Sequence, residues 1–250
     1  MVVITVNDEQ QAEAELVIFD KDGTLISHHH YIPIMETRAR IIAQTLDLSQ
    51  EVEKGLLEVL GVDPKRKFII PQGNVYTPRR DTFREVVQFL GIEGIKKKLA
   101  GEAARIGFKD ADKEVKMEEH VKSIPGAMEL LQALAEADVK TAVCTHDISQ
   151  AAKLHLRATN LLPYITKVIG LDPKSGLRAK PAPDMLERAF RECGVAANKG
   201  IMVGDAEIDM QAGKAAKTGL CIGVLTGQTS KEEFYSADMV IESVGQIKVL

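Results

Sequence analysis

Leu16-Val17-Ile18-Phe19-Asp20-Lys21-Asp22-Gly23-Thr24-Leu25 decides how this chain is read. Four consecutive β-prone apolar residues, closed by a polar turn containing glycine, have the pattern of a short strand buried on both faces. The shape recurs at 139–145, 165–169, 200–205, 220–225 and 239–241. Helical spacing separates these runs at 127–137, 149–159, 184–193, 207–217 and 231–235. Strands alternating with helices predict an α/β fold, a Rossmann-like parallel sheet whose ligands bind beyond the carboxyl ends of the strands.

Between Ser27 and Lys122 the strand pattern stops. Residues 38–46, 51–60, 78–90 and 95–106 carry apolar positions at helical spacing, with Thr77 as N-cap and Pro78 at the first helical position of the third. An all-helical cap domain is therefore expected at 27–122, inserted into a core formed by 1–26 and 123–250. The insertion carries a net charge of +2 and the remainder −6.

The whole chain has 250 residues, 45% hydrophobic and 27% charged, with a net charge of −4. This composition fits a folded soluble chain and lacks the basic footprint of a nucleic-acid binder. No apolar run approaches the ~20 residues of a membrane helix, and Met1 to Val6 is too short for a signal-peptide core, so a cytoplasmic location away from membranes is expected. Cys144, Cys193 and Cys221 have neither disulfide nor zinc-ligand spacing and read as buried apolar residues. His28-His29-His30 lies in the expected hinge and reads as a connector in preference to a metal tract.

Polar residues at the ends of buried strands need a purpose. The first strand ends in Asp20 and Asp22, the second in Thr145-His146-Asp147, and the fourth in Gly204-Asp205, with Asp209 four residues on. Lys180 lies in a loop ahead of a helix. Carboxylates gathered at adjacent strand ends repel one another unless a cation sits among them. Oxygen donors without His or Cys favour a hard ion, and Mg2+ suits a site that also meets a phosphate.

These residues resemble the motifs of the haloacid dehalogenase (HAD) superfamily. Asp20-Lys21-Asp22-Gly23-Thr24 is similar to its D-x-D-G-T, Thr145 to its second motif, Lys180 to its third, and Gly204-Asp205 through Asp209 to its G-D-x-x-x-D. They follow in order, 125, 35 and 25 residues apart. The helical insertion resembles the C1 type of cap found in phosphoglycolate-phosphatase-like members, and 61–77 resembles the specificity loop of such caps. Lys65, Arg66, Lys67, Arg79, Arg80 and Arg84 flank that loop, either as scattered surface cations or as contacts for a second anionic group on the substrate.

The resemblance implies a Mg2+-dependent phosphatase acting on a small phosphorylated metabolite. Asp20 would be the nucleophile and Asp22 the acid and base, kept protonated by the nearby Asp20 and the phosphate. Thr145 and Lys180 would hold the phosphoryl oxygens, with backbone N–H groups of Gly23 and Thr24, and His146 is placed to contact the phosphate or leaving group. The metal would rest on Asp20, Asp205 and the Asp22 backbone carbonyl, with Asp209 behind them, orienting Lys180 or a metal-bound water. A carboxylate at position 22 separates phosphatases and phosphomutases from dehalogenase-like relatives. A sugar phosphomutase on the same scaffold and a non-catalytic phosphate-sensing domain are the rival readings.

Overall fold

A computed structural model describes residues 2–6, 10–70, 73–77, 79–227 and 229–250. Among them no helix is long and apolar enough to cross a membrane. The chain divides into two compact units, Met1–Ser27 with Val121–Leu250, and His28–His120. The sequence puts the borders at 26/27 and 122/123. The difference has a simple cause: the outgoing and returning chains pair as a short antiparallel ribbon. Ile26 bridges Ser123, the Ser27 N–H donates to the Lys122 carbonyl at 2.9 Å, and the Ile124 N–H donates to Leu25 at 2.8 Å.

The first unit is built on a six-stranded parallel sheet. Its strands are β3 (Leu16–Phe19), β4 (Lys140–Thr145), β5 (Lys167–Gly170), β6 (Gly200–Gly204), β7 (Leu220–Val224) and β8 (Met239–Ile241), in the order β5-β4-β3-β6-β7-β8. Alternate residues of β3 face opposite sides. Val17 and Phe19 join Leu130, Leu131 and Leu134 of α5 (Ala127–Glu136) and Leu156 of α6 (Ser149–Ala158) in one core. Leu16 and Ile18 join Met185, Leu186 and Phe190 of α7 (Asp184–Cys193) and Met210 of α8 (Glu207–Ala215) in the other. Helices on both faces explain why the strands read as unbroken apolar runs. β3 lies between β4 and β6, so its carboxyl end opens where the strand order reverses.

A second sheet was not legible in the sequence. β1 (Val2–Val6), β2 (Gln10–Ala14) and β9 (Ile247–Val249) pair antiparallel in the order β2-β1-β9. Residues 231–235, expected as a helix, hold only a 3₁₀ turn at Lys231–Glu233. The three cysteines are free and buried. Burial pushes the Cys144 thiol up to about 12 and Cys221 up to about 11, so neither offers a thiolate at neutral pH.

The second unit contains α1 (Ile32–Leu46), α2 (Gln50–Val59), α3 (Arg79–Ile92) and α4 (Lys97–Glu114), closed around a core including Ile42, Leu56, Val86, Leu90 and Ala104. α1 begins six residues before its expected start, with Pro33 in its first turn, where a missing N–H costs nothing. α4 runs eight residues past its expected end, straight through Gly107. A side chain there would overlap Ile42 of α1, so the glycine permits close helix packing and does not stop the helix. Pro71, Gln72 and Pro78 of the loop and helix start lie outside the described residues. Thr77 does donate from its hydroxyl to the Asn74 carbonyl at 3.0 Å.

The cations around this loop are largely engaged within the unit. Lys67 pairs with Glu36 at 3.2 Å, Arg80 and Arg84 with Asp81 at 3.5 and 3.0 Å, and Arg79 with Asp112 at 2.6 Å. Arg79 and Arg38 both lie over the Phe108 ring, with guanidinium carbons 5.3 and 4.5 Å from its centroid. These contacts favour the reading of Lys67, Arg79, Arg80 and Arg84 as structural and surface pairs.

Candidate active site

Four strand-end and loop segments of the first unit converge. Asp20 follows β3, Thr145 ends β4, Asp205 follows β6, Asp209 lies in the first turn of α8, and Lys180 comes from the loop before α7. All five are buried. The Lys180 ammonium donates to Asp20 Oδ1 at 2.5 Å and to the Cys144 carbonyl at 3.0 Å. It also pairs with Asp209 Oδ1 at 2.6 Å. The ammonium is thus held by two hydrogen bonds and a further ion pair. Burial alone would lower its pKa, but Asp20 and Asp209 more than offset this and the shift is upward, so it stays charged.

Burial pushes Asp209 up to about 6 against the pull of the Lys180 ammonium, and its other oxygen accepts the Ala206 N–H at 3.1 Å. Asp209 is thus in contact with Lys180, one of the two groups that the sequence offered for it to orient. Asp20, Asp205 and Asp209 each present a carboxylate oxygen within 4.8 Å of the others. Three carboxylates against one ammonium leave a buried excess of negative charge, and the donors are all oxygen. A hard divalent cation fits this set.

The loop after β7 adds parts that sequence reasoning missed. Thr226 Oγ1 donates to the Gly23 carbonyl at 2.5 Å. Gly227 packs so closely on Asp205 that a methyl group there would overlap its carboxylate and Cβ. A glycine three residues past the end of an apolar strand was the available signal. Gly227→Ala is expected to displace Asp205 and weaken divalent-ion binding by about tenfold or more. Titration with Mn2+ followed by calorimetry checks this, and unchanged affinity would remove Asp205 from the metal site.

Other expected members sit differently. The Gly23 N–H donates to the Ile26 carbonyl at 2.6 Å, closing the turn, so it is not directed at a phosphate. Thr24 is fully buried. Thr145 Oγ1 accepts the Asp147 N–H at 3.2 Å, leaving its own hydrogen to donate. His146 is exposed at the strand end, and desolvation of its ring, then the Lys180 ammonium, hold it below the usual imidazole range. The Asp22 carboxylate, 14% exposed, accepts a hydrogen bond from the buried Lys21. A cation therefore touches the carboxyl that the sequence reading set beside anions.

A doubly wound core with a buried carboxylate–lysine cluster at its switch point defines a hydrolase-type α/β scaffold with an inserted helical unit. The chain belongs to the haloacid dehalogenase-like hydrolase family, which it matches over residues 14–217. It is 34% identical over 108 residues to a phosphoglycolate phosphatase of Rhodospirillum rubrum, covering 43% of each chain. It is 31% identical over 124 residues to the pyrophosphatase PpaX of Listeria monocytogenes, covering 49% of this chain and 56% of that one. The matches thus span about half the length of these curated relatives. The fold resembles that of a predicted phosphoglycolate phosphatase from Haemophilus somnus, with TM-score 0.67, 17% identity and coverage of 94% and 96%. A haloacid dehalogenase-like family protein from Streptococcus pneumoniae gives 0.60 and 14%, with coverage of 92% and 94%.

Proposed function

We propose that the protein is a Mg2+-dependent phosphatase that hydrolyses a small phosphate monoester through an aspartyl-phosphate on Asp20, acting on a soluble metabolite in the cytoplasm. The observation carrying this reading is the Lys180 bridge between Asp20 and Asp209 beside Asp205. It joins a nucleophile, a fixed cation and a metal-ligand set at one strand end.

Phosphate-monoester hydrolysis is among the slowest uncatalysed reactions, with accelerations reaching about 10²¹, so several effects must act together. The Thr145 hydroxyl and the Lys180 ammonium bind phosphoryl oxygens and orient phosphorus toward the Asp20 carboxylate. Asp20 forms the new P–O bond as the ester P–O bond breaks, and Asp22 gives its proton to the departing oxygen. Asp22 then takes a proton from the water that releases inorganic phosphate and restores Asp20. Asp209 keeps Lys180 aimed. Mg2+, held by Asp20 and Asp205, would supply charge neutralisation that lets an anionic nucleophile approach an anionic group.

Phosphate release from a panel of small phosphometabolites, including phosphoglycolate and pyrophosphate, with Mg2+ or with chelator, tests the reading. Mg2+-dependent release from monoesters supports it. Isomerisation of a sugar phosphate without release turns the assignment to a mutase, and no turnover on any member leaves a phosphate-binding domain. Asp22→Asn is expected to slow hydrolysis of alkyl phosphates by about 10² or more and of p-nitrophenyl phosphate much less, because only the poor leaving group needs the proton. An equal loss on both would remove Asp22 from proton transfer.

A further inference from the structure

Lys21 stands between the two aspartates and is fully buried. Its ammonium donates to Asp22 Oδ1, pairs with Asp147 Oδ2 at 3.1 Å and lies 3.2 Å from His155 Nδ1. Asp147 contributes as an ion pair, and His155 Nδ1 serves as an acceptor in the Nε2–H tautomer. The partners come from three places: the turn after β3, the loop that follows Thr145 at the end of β4, and the last turn of α6. A buried ammonium kept only to fill space would be replaced without loss by an apolar side chain of similar length. Here three polar partners surround it, two in hydrogen-bond contact and one as an ion pair, and one of them is the proposed acid and base.

We infer that Lys21 is a positioning residue for proton transfer, gathering Asp22, Asp147 and His155 so that the Asp22 carboxyl is held in one rotamer and tied to the loop carrying Thr145. This rests on the role proposed above for Asp22 and adds the device that sets its direction. Asp22 is bound through Oδ1 to the ammonium, and that bond fixes where its second oxygen points. Asp147 and His155 act on the lysine. Their contacting atoms lie 3.8 Å from each other and anchor it together, so that the ammonium does not follow Asp22 when the side chain is pulled toward a ligand.

The test compares wild type with Lys21→Met, which keeps the length of the stem and removes the three donors. On an alkyl phosphate, kcat is expected to fall about tenfold or more, with under threefold change on p-nitrophenyl phosphate and KM within threefold on both. Loss of packing alone would lower both substrates equally, and that result, or no loss on either, overturns the inference. Asp147→Asn, changed at a part-exposed partner, is the second variant should Lys21→Met not fold. It is expected to show the same leaving-group dependence to a smaller degree, and a flat response overturns the inference in the same way. Crystal structures of wild type and variant give a readout that needs no turnover. Asp22 in hydrogen-bond contact with Lys21 in wild type and rotated away in the variant supports the inference, and an unchanged rotamer overturns it. Should wild type hydrolyse no monoester, the phosphatase reading fails by itself, while the Asp22 rotamer still decides the role of Lys21.

Discussion

Asp20→Asn is expected to lower phosphate release by at least about 10⁴-fold, since an amide oxygen is a poor nucleophile toward phosphorus and no neighbouring group is placed to replace it. The substitution is nearly isosteric and leaves Lys180 paired with Asp209 at 2.6 Å. The fold should therefore survive. Removing one of three clustered carboxylates also lessens their mutual repulsion, so thermal stability in chelator should change little. Two measurements check the result: phosphate release, and the mass of acid-quenched protein, which in wild type should gain one phosphoryl group and in the variant none. Activity within tenfold of wild type would mean that water attacks phosphorus directly and that Asp20 serves only as a ligand.

Lys180→Met should damage both folding and chemistry. Removing the ammonium strands Asp20, Asp209 and the Cys144 carbonyl, all buried, without their shared donor. Breaking a buried ion pair from one side costs about 3–5 kcal/mol. In a chain of this size that lowers the unfolding temperature by roughly 6–20 °C. The loss has a defined pH direction. Burial already raises Asp209 from 3.8 to about 6 with the lysine present. An acid raised in the folded state binds more protons there than when unfolded, so its stabilising contribution is full below about 3.8 and is lost as pH rises through 6. Without Lys180 the upper edge of that window moves higher still. The deficit of the variant should thus stay constant between pH 4 and about 6 and grow as pH rises above 6. Thermal melts across that range in chelator test it, and a pH-independent deficit would mean that packing, not charge, is lost. Added divalent ion should restore part of the stability, because it binds the folded cluster and not the unfolded chain.

The six parallel strands were legible because burial on both faces forces an unbroken apolar run, and a strand such as Leu16–Phe19 can satisfy that demand only in the middle of a sheet. The site residues were legible for the complementary reason. Polar residues at the end of such a run have no packing purpose, and three strand ends showed the same anomaly, at Asp20 and Asp22, at Thr145-His146-Asp147 and at Asp205. The second sheet was hidden. Gln10–Ala14 alternates polar residues only with alanine and holds no β-branched or aromatic residue, and β1 takes its other partner from Ile247–Val249, at the far end of the chain. The fourth helix of the insertion outruns the 95–106 expected of it because the missing side chain of Gly107 makes room for Ile42, a contact that the sequence does not announce. Lys21 went unread because a lysine is by default a solvated residue, and nothing local announces that one partner is 134 positions away. The Gly23 N–H could not be assigned from sequence either, since its use in closing the turn toward Ile26 depends on local backbone geometry.

The placement of β3 between β4 and β6 also sets a timetable. Asp20 and Lys180 are separated by 160 positions, which at about 5–20 residues per second is roughly 8–32 s of synthesis. During that interval the helical unit emerges as one continuous stretch, with the elements of its core close together in sequence. The strand carrying Asp20 has no flanking strand until residue 140 and no second one until residue 200. Asp20 is thus made first and joined to its partners last. A nascent chain stalled before Asp205 holds Asp20 without its complete charge cluster, so the cluster is closed in a single late step of its biogenesis.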